Sequence, residues 1–218
     1  MKSSVAKWLK RLILLGVVLF AVYLNQLHTL VKDEFSKPLE TTNSTLSLEQ
    51  YPKVLVNMLL VVEDQSFFQH SGVDFREIAR VLRDYLFYDK PMRGASTLTQ
   101  QLIKNSLLTR KQTLDRKLKE ALMALLLEYS FDKNVILNRY MNSVYLGQRG
   151  NYVVYGFERA AQFYFNKDIN ALSLQELASL VALVKGPSYY HLFKHPSRLK
   201  KRRNLILRLY YKHKNIIK

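Results

Sequence analysis

A chain of 218 residues has room for one domain with an appendage. It contains no cysteine, which excludes disulfides and thiolate metal sites, and its seven glycines and five prolines are too few for a turn-dense β fold. The formal net charge of +17 calls for an anionic partner: nucleic acid, a membrane surface or a phosphate-bearing substrate.

The N-terminus separates these partners. Lys2, Lys7, Lys10 and Arg11 precede an uninterrupted apolar run from Leu12 to Leu24. Trp8, Leu9 and the weakly polar stretch to Val31 extend it toward the roughly 20 residues a bilayer asks for, with Trp8 and Tyr23 as interfacial anchors. A cleaved signal peptide would have the same basic start and apolar middle, but no clear small-x-small cleavage site follows Leu24, so residues 1–31 read as a cytoplasmic stub and an uncleaved transmembrane helix. The basic flank stays inside, which puts the rest of the chain outside the cytoplasm and argues against nucleic acid.

Residues 32–46 are polar and read as a linker, leaving 47–218 as the folded domain. Pro52 opens a helix through Val54, Leu55, Met58, Leu59 and Val62 that ends near Glu63. Asp74 and Glu77 resemble a capping box ahead of Phe75, Ile78, Ala79, Leu82 and Leu86. Ser96 is a candidate N-cap for a helix on which Thr97, Gln100, Gln101 and Lys104 share one face. Thr113 or Asp115 starts another, apolar all round from Ala121 to Leu127 and therefore buried on most sides. Glu120 sits at the edge of that segment, with Arg116 and Lys117 as its i−4 and i−3 neighbours. Asp132 caps a helix stopped by Gly147, and a short helix runs from Gly156 to near Phe165. Ser173 and Glu176 form a capping box for a helix ended by Gly186-Pro187. A basic helix follows Pro196, where Lys194 to Lys218 holds ten Lys/Arg and no acid. No strand pair is expected, so the reading is all-α.

The polar residues in these segments are of types that carry chemistry: carboxylates for proton transfer, amides and cations for a polar, anionic substrate. The blocks are Glu63-Asp64-Gln65-Ser66-Phe67-Phe68-Gln69-His70-Ser71-Gly72, then Gly94 through Asn105, then Arg116-Lys117-Leu118-Lys119-Glu120. In order and spacing they resemble the peptidoglycan glycosyltransferases, the family 51 transglycosylases that polymerise lipid II. The likeness covers roughly residues 47–210. It is nearest to the glycosyltransferase domain of class A penicillin-binding proteins of the 1b type, through Tyr145-Leu146-Gly147-Gln148, Val184-Lys185-Gly186 and Arg202-Arg203-Asn204-Leu205.

The resemblance implies a lysozyme-like helical domain and an inverting transfer that releases undecaprenyl pyrophosphate as a β-1,4 bond forms. It implies Glu63 as the base and Glu120 as a second, positioning glutamate. Lys104, Arg116 and Lys117 would face donor phosphate; Ser96, Gln100, Gln101 and Asn105 would line the groove; Arg80 would lie on the acceptor side. Phe67, His70 and Gly72 would shape the loop around Glu63. A divalent cation, Mg²⁺ or Mn²⁺, stays open as a cofactor. The implied partners are lipid II, the growing glycan chain, the membrane and other cell-wall synthesis proteins. The chain stops where a transpeptidase domain would begin, and although Ser4/Lys7, Ser130/Lys133 and Ser197/Lys200 satisfy S-x-x-K, no K-T-G occurs, so a monofunctional enzyme is expected.

Two positions depart from the family pattern. Gln112 stands where an arginine aimed at phosphate is common, with Arg110 and Lys111 as substitutes, and Ser66 stands where a basic residue is common. Two rival readings remain. A lysozyme-like hydrolase or lytic transglycosylase would use Glu63 as general acid without needing the cations. A non-catalytic scaffold for lipid-linked glycans would not need both glutamates.

Overall fold

A computed structural model describes residues 2–39, 45–91, 94–109, 111 and 113–213. The described chain runs α1 (Lys2–Phe35), α2 (Lys53–Glu63), α3 (Phe75–Tyr88), α4 (Leu98–Leu107), α5 (Leu114–Ser130) and α6 (Lys133–Ser143). It continues through strands β1 (Tyr145–Arg149) and β2 (Tyr152–Tyr155) to α7 (Phe157–Phe165), α8 (Leu174–Val184) and α9 (Pro196–His213). The fold is mostly helical, in keeping with the all-α reading; the hairpin corrects only the expectation that no strand pair occurs. Its strands pair antiparallel, Gln148 opposite Val153 and Arg149 opposite Tyr152, around Gly150-Asn151. Gly150 takes φ of 58°, which glycine alone adopts without a steric penalty, so a two-residue loop suffices. Gly147 does not stop α6, which ends at Ser143. It lies in β1, where a Cβ would fall 2.1 Å from the Tyr164 hydroxyl that donates to Leu146 O.

α8 is the centre of the core. Leu177 to Leu183 are all buried, and α8 packs on α2, α7 and α9. Its N-terminus carries the expected capping box of Ser173 and Glu176. On α5, Met123, Ala124 and Leu127 are buried, in keeping with its apolar run. α9 is basic, yet it docks through Leu199 and Ile206.

α1 divides into two parts. Its first two-thirds stands clear of the domain, with Leu12 to Leu15 and Val17 to Phe20 exposed. Leu27, Val31 and Phe35 are buried in the domain core, where α1 packs on α4 and α5. His28 Nε2 meets Ser130 Oγ at 2.8 Å, and Arg139 donates to the carbonyls of Glu34 and Lys37. The boundary drawn at residue 31 therefore falls inside a helix that continues to Phe35. Among the described residues no helix is long and apolar enough to cross a membrane. Leu27, Val31 and Phe35, in the stretch from Asn25 onward that the reading enlisted as span and linker, belong to the core of the domain.

Candidate active site

α2 ends at Glu63, and the chain then turns through a loop to Asp74 before α3 begins. This loop is pinned on three sides. Asp64 accepts from His70 Nε2 at 3.1 Å and from the backbone N–H of Leu98, the first residue of α4, at 2.9 Å. A carboxylate there suits the positive end of the helix dipole. Because His70 Nδ1 accepts from Gly72 N–H, its Nε2 carries the proton given to Asp64. Gly72 takes φ of 97°, and a Cβ on it would fall 2.5 Å from Ala124 O of α5. Thr97 Oγ donates to Gly72 O at 2.6 Å. Phe67 is buried under the loop, with Lys133 Nζ 4.4 Å from its ring centroid and 2.7 Å from Glu128. Burial pushes the Lys133 ammonium below its ordinary value, and Glu128 opposes that shift. Phe67, His70 and Gly72 thus shape the loop, as expected.

Beside this loop lies a cavity of about 890 Å³. Glu63 is on its wall; α3 contributes Arg76, Glu77 and Arg80, and Gly94 to Thr97 form another edge. The Glu63 side chain is only 9% exposed. Gln101 Nε2 donates to its Oε2 at 3.1 Å, and Arg202 of α9 approaches its Oε1 at 3.8 Å. Gln101 is in turn aimed by Tyr140, whose hydroxyl donates to Gln101 Oε1 at 2.9 Å. Burial, then the nearby Glu63 and Asp64, pushes the Tyr140 phenol well above its ordinary value, so it remains a donor.

A second group sits at the start of α5. Glu120 is 2% exposed and takes Arg116 Nη1 at 2.6 Å on one oxygen and Lys117 Nζ on the other. Lys117 also donates to Ser96 Oγ at 2.9 Å, which ties this trio to the cavity edge. Ser96 is therefore not the α4 cap. Thr97 is, in a capping box with Gln100. That corrects Gln100 too: it is buried, and its Oε1 accepts the Thr97 N–H instead of lining a groove. Lys104 and Asn105 are exposed on α4, and Arg80 is an exposed partner of Glu77. Ser66 donates to Asp74, which caps α3, so this departure has a local use. Arg110 and Gln112 lie outside the described residues; Lys111 is exposed. Asp132 occupies the α6 cap position without a side-chain capping bond.

Among the described residues no group of three or more His, Cys, Asp or Glu has the arrangement to hold a metal ion. Asp64, the carboxylate next to Glu63, already spends both oxygens on His70 and Leu98 N–H, so the donor set does not fit a divalent cation here. Sequence reasoning missed Tyr140 and the Arg202 contact. Tyr140 reads as one more apolar position of its helix, and Arg202 as one of several charges on a basic one.

Beside this geometry stands a match of the chain itself to the family model described as Transglycosylase, over residues 31–210. The chain belongs to this transglycosylase family. Among its relatives is the protein named "Penicillin-binding protein 1B" of Haemophilus influenzae, 44% identical over 171 residues, 78% of this chain and 22% of that protein. The proteins of the same name from Vibrio cholerae and Escherichia coli are 45% identical over 168 residues and 43% over 159. These cover 77% and 73% of this chain, and 22% and 19% of the relatives. The chain thus spans about a fifth of the length of these curated relatives.

Proposed function

We propose that this chain is a peptidoglycan glycosyltransferase that polymerises lipid II. The observation that carries the reading is Glu63, nearly buried in the wall of a large cavity and held on one oxygen by Gln101. Glu63 takes the proton from the acceptor's C4 hydroxyl as its oxygen attacks C1 of the donor sugar. The bond from C1 to the diphosphate oxygen breaks, undecaprenyl pyrophosphate leaves with the electron pair, and C1 inverts to the β-linkage. Arg116, Lys117 and the exposed Lys104 meet the charge that develops on the leaving group. Glu120 keeps the first two oriented. A hydrolase would place no need on these cations. The test is purified protein with lipid II: the wild type makes polymer, and Glu63→Gln loses roughly 10²-fold or more in rate while still binding substrate. Polymerisation by Glu63→Gln at the wild-type rate defeats the assignment.

The membrane is the proposed working surface. The exposed arm of α1 from Trp8 to Leu24 is the attachment, with Lys10 and Arg11 snorkelling toward the headgroups to extend a short apolar run, and the domain lies on the extracytoplasmic side. α3, which lines the cavity, supports the same reading. Its Phe75, Leu82, Leu86 and Phe87 are each at least 50% exposed, an apolar face that water alone does not favour. Deleting residues 2–24 should weaken vesicle binding and leave it salt-sensitive through α9, about 1 kcal/mol per well-placed cation. Unchanged membrane binding of the truncated chain removes the arm from this role.

A further inference from the structure

We infer that Arg202 is a positioning residue for Glu63, acting through the carboxylate and not on substrate. The inference rests on Glu63 being the base. Arg202 lies on α9 three residues after Leu199 and four before Ile206, the two buried residues that dock this helix, so its side chain is drawn onto the packed face. α9 packs on α2, the helix that ends at Glu63. The Arg202 side chain is 18% exposed, and its Nε is buried without a hydrogen-bond partner among the described residues. Its Nη2 stands 3.8 Å from Glu63 Oε1, and it is the one cation that the described residues bring within 4.0 Å of that carboxylate. A guanidinium this shielded is costly unless a charge answers it. Nothing else in its ion pairs does so among the described residues.

The two oxygens of Glu63 thus have different neighbours. Gln101 fixes Oε2 by a hydrogen bond, and Arg202 draws Oε1 by charge. Together they set the plane in which the remaining lone pairs face the cavity. A 3.8 Å contact is long for a hydrogen bond, and such contacts in an empty site shorten when the substrate closes it. Arg202 also balances the negative charge of Glu63, which has Asp64 as its chain neighbour. Among the described cations of α9, Lys200, Lys201, Arg208 and Lys212 are exposed, and Arg202 is the one that reaches Glu63.

The experiment is the pH–rate profile of lipid II polymerisation by the full chain for the wild type, Glu63→Gln, Arg202→Met and Arg202→Lys. Methionine keeps the packing volume and removes the charge; lysine restores the charge. Other ionisable groups face Glu63: Asp64 on its own chain segment, Tyr140 of α6, and across the cavity His70 and Asp74 of the loop and Arg76, Glu77 and Arg80 of α3. All are unaltered, so a moved limb reports the Glu63–Arg202 pair. Arg202→Met should lower kcat about ten-fold, move the acid limb up and leave lipid II binding unchanged. Arg202→Lys should recover most of the rate and the limb. A rate loss that tracks a lowered melting temperature, with the limb in place and no recovery by lysine, makes Arg202 structural and overturns the inference. Wild-type behaviour of Arg202→Met overturns it too, provided Glu63→Gln is inactive; an active Glu63→Gln fails the base assignment instead. If Arg202→Met does not fold, Arg202→Gln carries the same readings.

Discussion

Tyr140→Phe separates the support of the proposed base from the base itself. The substitution removes one oxygen from a side chain that is 1% exposed and changes no packing volume of note. What it deletes is the donor to Gln101 Oε1 at 2.9 Å. The net loss is about 1 kcal/mol, rising toward about 3 if the Gln101 oxygen is left without a partner. For a chain of this size that lowers the melting temperature by about 2–4 °C per kcal/mol. The larger effect is on orientation. With Tyr140 donating, the Gln101 amide is fixed with Nε2 toward Glu63 at 3.1 Å. Without it the amide is free to rotate and present its oxygen to a carboxylate. A hydrogen bond to a charged group is worth about 1.5–3 kcal/mol, and losing it for part of the time costs about ten-fold in turnover. The assay is lipid II polymerisation by Tyr140→Phe, Gln101→Ala and the double variant, with melting curves for each. Because Tyr140 is taken to act through Gln101, the Phe substitution should cost little rate once Gln101 is gone. A full Tyr140→Phe penalty in the Gln101→Ala background refutes the relay, as does an unchanged rate in Tyr140→Phe alone.

Gly72→Ala places a methyl 2.5 Å from Ala124 O at a φ of 97°, so it should destabilise the fold by about 2 kcal/mol or more and loosen the Glu63 loop, read by denaturant titration and rate. Asp74 concerns pH. Burial pushes its carboxyl up, but hydrogen bonds from Ser66 and Glu77 N–H, with His70 and Arg76, hold it below the ordinary range. A depressed native value gives stability that is present above pH ~3.9 and is lost as pH falls through the native value, so melting temperature should drop there in the wild type and less in Asp74→Asn. Equal acid slopes in both would remove Asp74 from the account. Glu120→Gln frees Arg116 and Lys117 from their shared carboxylate and should tighten lipid II binding while lowering kcat, measured as separate Kd and kcat; weaker binding at unchanged kcat contradicts this.

Much of the helical frame is legible in the sequence because its signals are local. The Ser173/Glu176 capping box and the Gly186-Pro187 stop bracket α8 on the page as they do in space. Thr113 caps α5, and Glu63 ends α2. The misses come from competition among neighbours. Ser96 and Thr97 are both good caps, and the winner is decided by Thr97 bonding Gly72 O, a contact 25 residues away along the chain. That one-residue choice turned Gln100 inward. The hairpin was hidden because Gly147 reads equally as a helix stop, and only Tyr164, packed against it, shows why glycine is needed inside a strand. α1 misled for a different reason: Leu27 and Val31 are as apolar as a lipid-facing pair, and hydropathy alone does not distinguish a bilayer from a protein core.

Helix α4 joins the two halves of the proposed chemistry. Gln101, which holds the base, and Lys104, which would meet the leaving group, are three residues apart and so share a face of one rigid element. The helix start is fixed twice, by Asp64 accepting Leu98 N–H and by Thr97 donating to Gly72 O. Those are both contacts with the loop that follows Glu63. Movement of the loop therefore carries the proposed base, its brace and Lys104 together, which preserves their spacing. The trio on α5 works differently. Two cations share one buried carboxylate, so the group is net positive by a single charge. Were both unpaired, they would hold substrate and product diphosphate as firmly as the transition state, and uniform binding of that kind does not raise kcat. Glu120 keeps them oriented without leaving their full charge to the ground state. On the proposed mechanism, the charge gained by the leaving group would be the occasion on which Arg116 and Lys117 exchange part of their hold on Glu120 for phosphate.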